Sequence, residues 1–293
     1  MHLNLDFLIK PILAWLNHRR PVSDVPLSDF GRIREEIKPC DVLLIEGRSR
    51  VSDVIKIITQ SPWSHAALYI GRINEIEDTR LKAILKELYV GSDDEQLILE
   101  SELGLGTVIR SINAHEKEHI RICRPRGLLP EDAKDVIAYA ASHIGYEYDI
   151  RQILDLARFL FPWWIMPRRW RSSLFNHNAG NVTKTVCSTL IAEAFGFVQF
   201  PILPLVKLDE HNNVQLYRRN AKLTVPSLFD YSPYFDIIKY PFLNNERHEN
   251  YHLLPWQGSV EMNYAEVTLY ASYIKENNKK EETDDSDSPS FTS

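Results

Sequence analysis

The chain has 293 residues, 44% hydrophobic and 11% aromatic, which is ample for a packed core and excludes a chain disordered throughout. Its 34 Lys and Arg against 40 Asp and Glu leave a net charge of −6, which argues against a generally basic nucleic-acid binder. Only 11 glycines exclude collagen-like and Gly-rich repeats, and 3 cysteines (Cys40, Cys123, Cys187) make no disulfide framework but leave at least one thiol free for chemistry.

The N-terminal run LNLDFLIKPILAWLNHRR is apolar but broken by Lys10 and Pro11. Its basic residues follow the apolar stretch, the reverse of a secretory signal. It reads as an amphipathic helix, packed on the body or lying at a membrane interface, and residues 1–36 together read as a helical extension. No stretch reaches the ~18–20 consecutive apolar residues of a spanning helix. After the turn at Lys38-Pro39, Asp41–Ile45 is a buried strand. Ser49 caps a helix whose apolar residues fall at Val51, Val54, Ile55 and Ile58, and Pro62 prevents its continuation. Ser64–Ile70 is too short for a typical helix and reads as a strand, with His65, Ala67 and Tyr69 on one face.

Leu81, Ile84, Leu85 and Leu88 at helical spacing predict a helix over 77–90. QLILE (96–100), TVIRSI and IRICRP read as further strands. Leu129-Pro130-Glu131-Asp132 is a strong helix start, and the helix runs to Gly145. Another helix is expected at 150–161, and a buried one begins near Cys187 and closes on Gly196. Residues 197–243 carry short extended pieces, and 277–293 form a disordered tail.

Three side chains carry chemistry. Cys187 sits where a helix starts, and unpaired N–H groups there favour thiolate over thiol and can hold an oxyanion. His65 lies on a strand and Glu100 ends another. A thiol, an imidazole and a carboxylate are the parts of a nucleophile, base and orienter system, defined by geometry and not by chain order. Glu102 competes with Glu100 for the orienting role, since alternation along the strand does not exclude it. Ser188 is a weaker nucleophile candidate than Cys187 because its hydroxyl needs a dedicated base.

The segments DVLLIEGRSRVSDVIKIITQSPWSHAALYIG (41–71), LILESELGLG (97–106), IGYEYD (144–149), VCSTLIAEAF (186–195) and LTVPSLFDYSPYFDIIK (223–239) occur in this order. Together they resemble the permuted papain-like cysteine hydrolases of the NlpC superfamily, in the YiiX/YebB-like branch. The resemblance covers roughly 41–239. It implies an α+β, circularly permuted papain-like fold, with an antiparallel sheet packed on the helix carrying the nucleophile. It also implies Cys187 as nucleophile, His65 as base and Glu100 as orienter. Tyr148 and Asp149 match a Tyr-Asp pair that shapes the site, as Tyr69 does from the His strand. The expected organisation is a helical extension (1–36), the hydrolase domain (37–243) with a helical insertion (75–95) and an aromatic-basic segment (158–171), a C-terminal extension (244–276) and the acidic tail (277–293).

Two further features stand out. His115-Glu116-Lys117-Glu118-His119 fits the zinc-protease pattern H-E-x-x-H, but strand-like IRICRP follows at once and no apolar face is present. It reads as a charged surface turn. RFLFPWWIMPRRWR (158–171) brings Trp163, Trp164 and Trp170 together with Arg168 and Arg169 and no acid. Such a composition suits a membrane–water interface or an acyl-chain groove, or else a buried loop bracing the Cys helix.

The expected activity is cysteine-dependent hydrolysis of an amide, peptide or acyl bond through an acyl-enzyme, with no cofactor, metal or nucleic acid required. Acyl transfer of the lecithin:retinol acyltransferase-like type, on a lipid substrate, is the alternative, as is a non-catalytic membrane-associated binding module. Without an export signal, a cytoplasmic protein that touches the inner membrane surface is expected. Glu281, Glu282, Asp284, Asp285 and Asp287 account for −5 of the −6, so the remainder of the chain is nearly neutral.

Overall fold

Val42-Leu43-Leu44-Ile45 shows no polar alternation, and a strand so composed must be covered on both faces. In the computed structural model, which describes residues 14–20, 27–102, 105–145 and 186–242, these residues form β1 (Val42–Glu46), an interior strand whose first four residues are all buried. All the described residues fall in one of the chain's two units, Met1–Arg20 with Pro26–Phe242. β1 pairs antiparallel with β2 (His65–Gly71), Ile45 opposite His65, and on its other side with β5 (His119–Pro125). β3 (Leu97–Glu102), β4 (Gly106–Ser111) and β8 (Phe235–Ile238) complete a six-stranded sheet of order β4-β3-β2-β1-β5-β8, antiparallel at every step.

Period-two alternation sorts the sheet residues onto two faces. On one, Leu44, Leu68 and Leu99 meet helices: Leu85 of α3 (Thr79–Leu88), Val136 of α4 (Pro130–Ala141), and Ile191 and Phe195 of α5 (Val186–Phe197). The molecule is thus α+β, with α5 packed on β2, β3 and α4. The opposite face carries Leu43, Ile45, Ala67, Tyr69, Ile98 and Ile122, covered by Ile33 of α1 (Phe30–Glu36) and by Ile112.

Helix ends follow local chemistry. Ser49 accepts a hydrogen bond from Ser52 N at the start of α2 (Arg50–Thr59), which stops at Gln60 in the left-handed region ahead of Pro62. Asp78 caps α3 by accepting from Arg80 N and Leu81 N, and α4 opens with Pro130. Two strands lie apart from the main sheet, β6 (Leu205–Leu208) and β7 (Val214–Tyr217), joined as an exposed hairpin. No helix among the described residues is long and apolar enough to cross a membrane. The first thirteen residues, the expected helix at 150–161, the 158–171 segment and the acidic tail lie outside the described residues.

Candidate active site

β2 starts where its approach is pinned. Trp63 is buried, donates through Nε1 to Asp230 at 3.2 Å and lies beneath the Arg121 guanidinium. Ser64 accepts from Gly47 N at 2.9 Å and donates its own N–H to Ile45 O. The next residue, His65, sits at the strand's first position with its side chain 21% exposed. Glu100, opposite Ala67 on β3 and only 4% exposed, lies one diagonal step away on the same face. His65 Nε2 and Glu100 Oε2 are 2.7 Å apart. Nδ1 is then the ring nitrogen left for the Cys187 thiol, which hydrogen-bonds to His65 from the first turn of α5. The thiol also accepts from the backbone N–H groups of Ala66 and Ser188.

The three thiols differ sharply. Burial and the neighbouring Asp41 push Cys40 up to about 12, and its thiol donates to Ala133 O. Burial also raises Cys123 far above the ordinary thiol range. Cys187 is buried too, and burial alone would raise it. The His65 charge, the His65 hydrogen bond and the two backbone donors outweigh that, so its thiol titrates below the ordinary value. In the same way burial works against the His65 cation, but Cys187 and Glu100 hold it well above the usual imidazole range. Glu100 is held well below the carboxylate range, its desolvation offset by His115 and His65.

The competing residues go elsewhere. Glu102 pairs with Arg110. Ser188 Oγ donates to Thr224 O at 2.6 Å, which commits its hydroxyl to holding the α5 start. Tyr69 is buried four residues along β2, and its hydroxyl accepts from Gln96, whose amide also donates to Arg34 O. It braces the sheet against α1 rather than meeting the thiol. Tyr148, Asp149, Trp163, Trp164, Trp170, Arg168 and Arg169 lie outside the described residues.

The expectation of a charged surface turn at 115–119 needs correcting. The segment is indeed no helix: Ile112–His115 is a single 3₁₀ turn, and His119 opens β5 and faces Glu46. Only Glu116 and Lys117 are exposed, however, while His115 and Glu118 are buried. His115 Nε2 lies 2.9 Å from Glu100 Oε2 and its Nδ1 lies 2.6 Å from Glu118 Oε2. The physical reason is spacing. Ile112, His115 and Glu118 repeat every three residues: Ile112 and His115 share one face of the 3₁₀ turn, so the buried Ile112 carries His115 inward, and the next turn, closed by Glu118 N–H to His115 O, brings Glu118 to it. That repeat was the available signal.

Arg110 Nε faces the other Glu100 oxygen at 3.1 Å, an ion pair without hydrogen-bond alignment. Among the described residues, His65, Glu100 and His115 are also the one set of donors close enough to share a cation, their nearest atoms lying within 4.8 Å of one another. The hydrogen bonds just described already account for each of those atoms. A separate cavity of about 250 Å³ opens farther along α5, lined by Ala192, Phe200, Leu216, Arg219 and Tyr234 among others, and contains none of the Cys187 cluster.

No protein-family model matches the chain, and no curated protein matches it. Among solved structures, the chain is similar to the crystal structure of metalloprotein yiiX from Escherichia coli O157:H7 (DUF1105). The TM-score is 0.38 and the identity 13%, over 69% of this chain and 97% of that one.

Proposed function

We propose that this chain is a cysteine-dependent hydrolase of permuted papain-like architecture that cleaves an amide, peptide or acyl bond. Cys187 is the nucleophile, His65 the base and then the acid, and Glu100 the orienter. The observation that carries this reading is the convergence of the Cys187 thiol, at the start of α5, on an imidazole whose Nε2 lies 2.7 Å from the buried Glu100 carboxylate.

The steps follow from those positions. The Cys187 thiolate attacks the carbonyl carbon, and its charge passes to the carbonyl oxygen. Backbone N–H groups at the start of α5 stabilise that oxyanion. His65 gives its proton to the leaving group as the tetrahedral intermediate collapses to a thioester. Water then attacks the thioester, His65 takes the water's proton, and the thiolate departs. Glu100 holds the ring so that Nδ1 faces the reaction centre through both halves.

Labelling with a thiol-directed acyl-type probe, mapped by mass spectrometry, tests the reading. Label is expected at Cys187 in folded wild type, and none in folded Cys187→Ala. Equal labelling of wild type and Cys187→Ala overturns it. Adding an amine acceptor separates hydrolysis from acyl transfer, since a transferase gives the amide in place of the free acid.

A further inference from the structure

The His115–Glu118 turn takes no direct part in the reaction just described, yet its polar atoms all converge on the orienting carboxylate. Both ring nitrogens of His115 face carboxylate oxygens, at 2.9 Å to Glu100 and 2.6 Å to Glu118. An ionised carboxylate only accepts, so each short contact requires an N–H and the ring carries both protons. The Glu100 oxygen that His115 holds is the same one that holds His65. The His65 and His115 rings, with centroids 6.0 Å apart, therefore share one carboxylate oxygen.

We propose that His115, clamped by Glu118, is a positioning residue that fixes Glu100 against His65 and limits how tightly that carboxylate holds the His65 proton. The inference rests on the hydrolase reading above. His65 must release its proton to the leaving group, so a carboxylate given wholly to His65 slows that release. The second cation takes part of the carboxylate's charge. The other charged groups around the pair come from separate elements: Arg110 on β4 at the second Glu100 oxygen, Glu102 paired with Arg110, and Arg19 and Arg48 acting on Glu118. His115 is held above and Glu118 below its ordinary value, each against the effect of its own burial, as the two-proton assignment requires.

Removing the His115 charge withdraws a cation from both members of the Cys187–His65 pair. The thiolate is then less stabilised and the imidazolium more so, and both limbs of the pH profile move to higher pH. The test is iodoacetamide alkylation of Cys187 across pH in the full-length protein, for wild type, His115→Ala, His115→Asn, Glu118→Gln and the His115→Ala/Glu118→Gln double variant. The acid limb is expected to rise by about half a pH unit or more in the His115 variants, an alkylation rate about twofold lower at the wild-type midpoint. A smaller rise is expected for Glu118→Gln, which keeps an acceptor but loses the charge. The double variant is expected to match His115→Ala alone, because Glu118 acts through His115.

An unmoved limb in the folded His115 variants overturns the inference and leaves the hydrolase reading standing. So does a Glu118→Gln effect that persists without His115. A wild-type limb at the ordinary thiol position overturns the hydrolase reading itself. If the His115 variants fail to fold, nitrogen NMR of wild type decides. Two protonated ring nitrogens on His115 at pH 8 support the assignment, and a neutral tautomer overturns it.

Discussion

Glu100→Gln separates the buried carboxylate's charge from its shape. In the native protein Glu100 is 4% exposed, with imidazole contacts at 2.7 and 2.9 Å and Arg110 at 3.1 Å. The amide fills the same space but offers one oxygen and an NH₂, so either Arg110 or the imidazole pair meets a donor. Removing one partner from a buried, hydrogen-bonded ion pair costs about 3–5 kcal/mol. At ~2–4 °C per kcal/mol for a domain of this size, the melting temperature falls by about 6–20 °C. Glu102→Gln makes the same chemical change two residues away, where the side chain is 30% exposed and paired with Arg110, and costs at most about 1 kcal/mol.

The pH dependence adds a second readout. Glu100 titrates well below its ordinary value of 4.5 in the folded chain. Its contribution is therefore complete above that value and is lost as pH falls through the depressed one. His65 and His115 titrate above their ordinary value of 6.5. Theirs is complete below 6.5 and is lost as pH rises through the raised values. Glu100→Gln removes the partner common to both, so the variant's stability profile flattens on both sides. Urea denaturation from pH 3 to 10 measures it. Glu100→Gln melting within about 1 °C of Glu102→Gln, with an equally steep acid arm, would refute the reasoning.

Three further outcomes follow from the same geometry. Brief alkylation of the folded protein at pH 6 should modify Cys187 and spare Cys40 and Cys123, whose thiols are raised and buried; peptide mapping reads this directly. Phe195→Ala removes a fully buried ring that packs against Phe200 and Phe235, and should cost about 3–5 kcal/mol by chemical denaturation. Gly47→Ala places a methyl against the Ser52 hydroxyl and 2.9 Å from Ser64 Oγ, just ahead of His65. About 1–3 kcal/mol of destabilisation is expected, with slower Cys187 alkylation as β2 shifts.

What could be read from the sequence was local. The unbroken apolar run of β1, the Ser49 cap, the Pro130 start and the apolar α5 each depend on neighbours within a few residues, and each lies where the pattern puts it. His65, Ala67 and Tyr69 share a strand face for the same reason. The partner of Glu100 was not local. Alternation leaves Glu100 and Glu102 on one face, and only the diagonal step between β2 and β3 directs His65 to Glu100 while Arg110 takes Glu102. His115 was harder still. Its burial depends on Glu100, fifteen positions away, and on Ile112 anchoring the turn in the core. Charged side chains in a loop ordinarily imply solvent, and the inference fails when the loop's countercharges are buried with it.

Burial is also what makes the cluster work as a unit. From Cys187 the charges alternate through His65, Glu100, His115 and Glu118 to Arg19, which is 52% exposed and 3.6 Å from Glu118. Each interior member is desolvated and depends on its two neighbours, so neutralising one leaves the next uncompensated. The members come from α5, β2, β3, the turn before β5 and the segment ahead of α1, so their alignment requires the whole sheet to be in register. A one-residue slip of β3 against β2 would turn Glu100 to the face of Leu44 and Leu68 and bury an unpaired carboxylate there. The site's electrostatics therefore penalise the misregistered sheet in addition to its apolar pattern. The same network that lowers the Cys187 thiol helps select the fold that holds it.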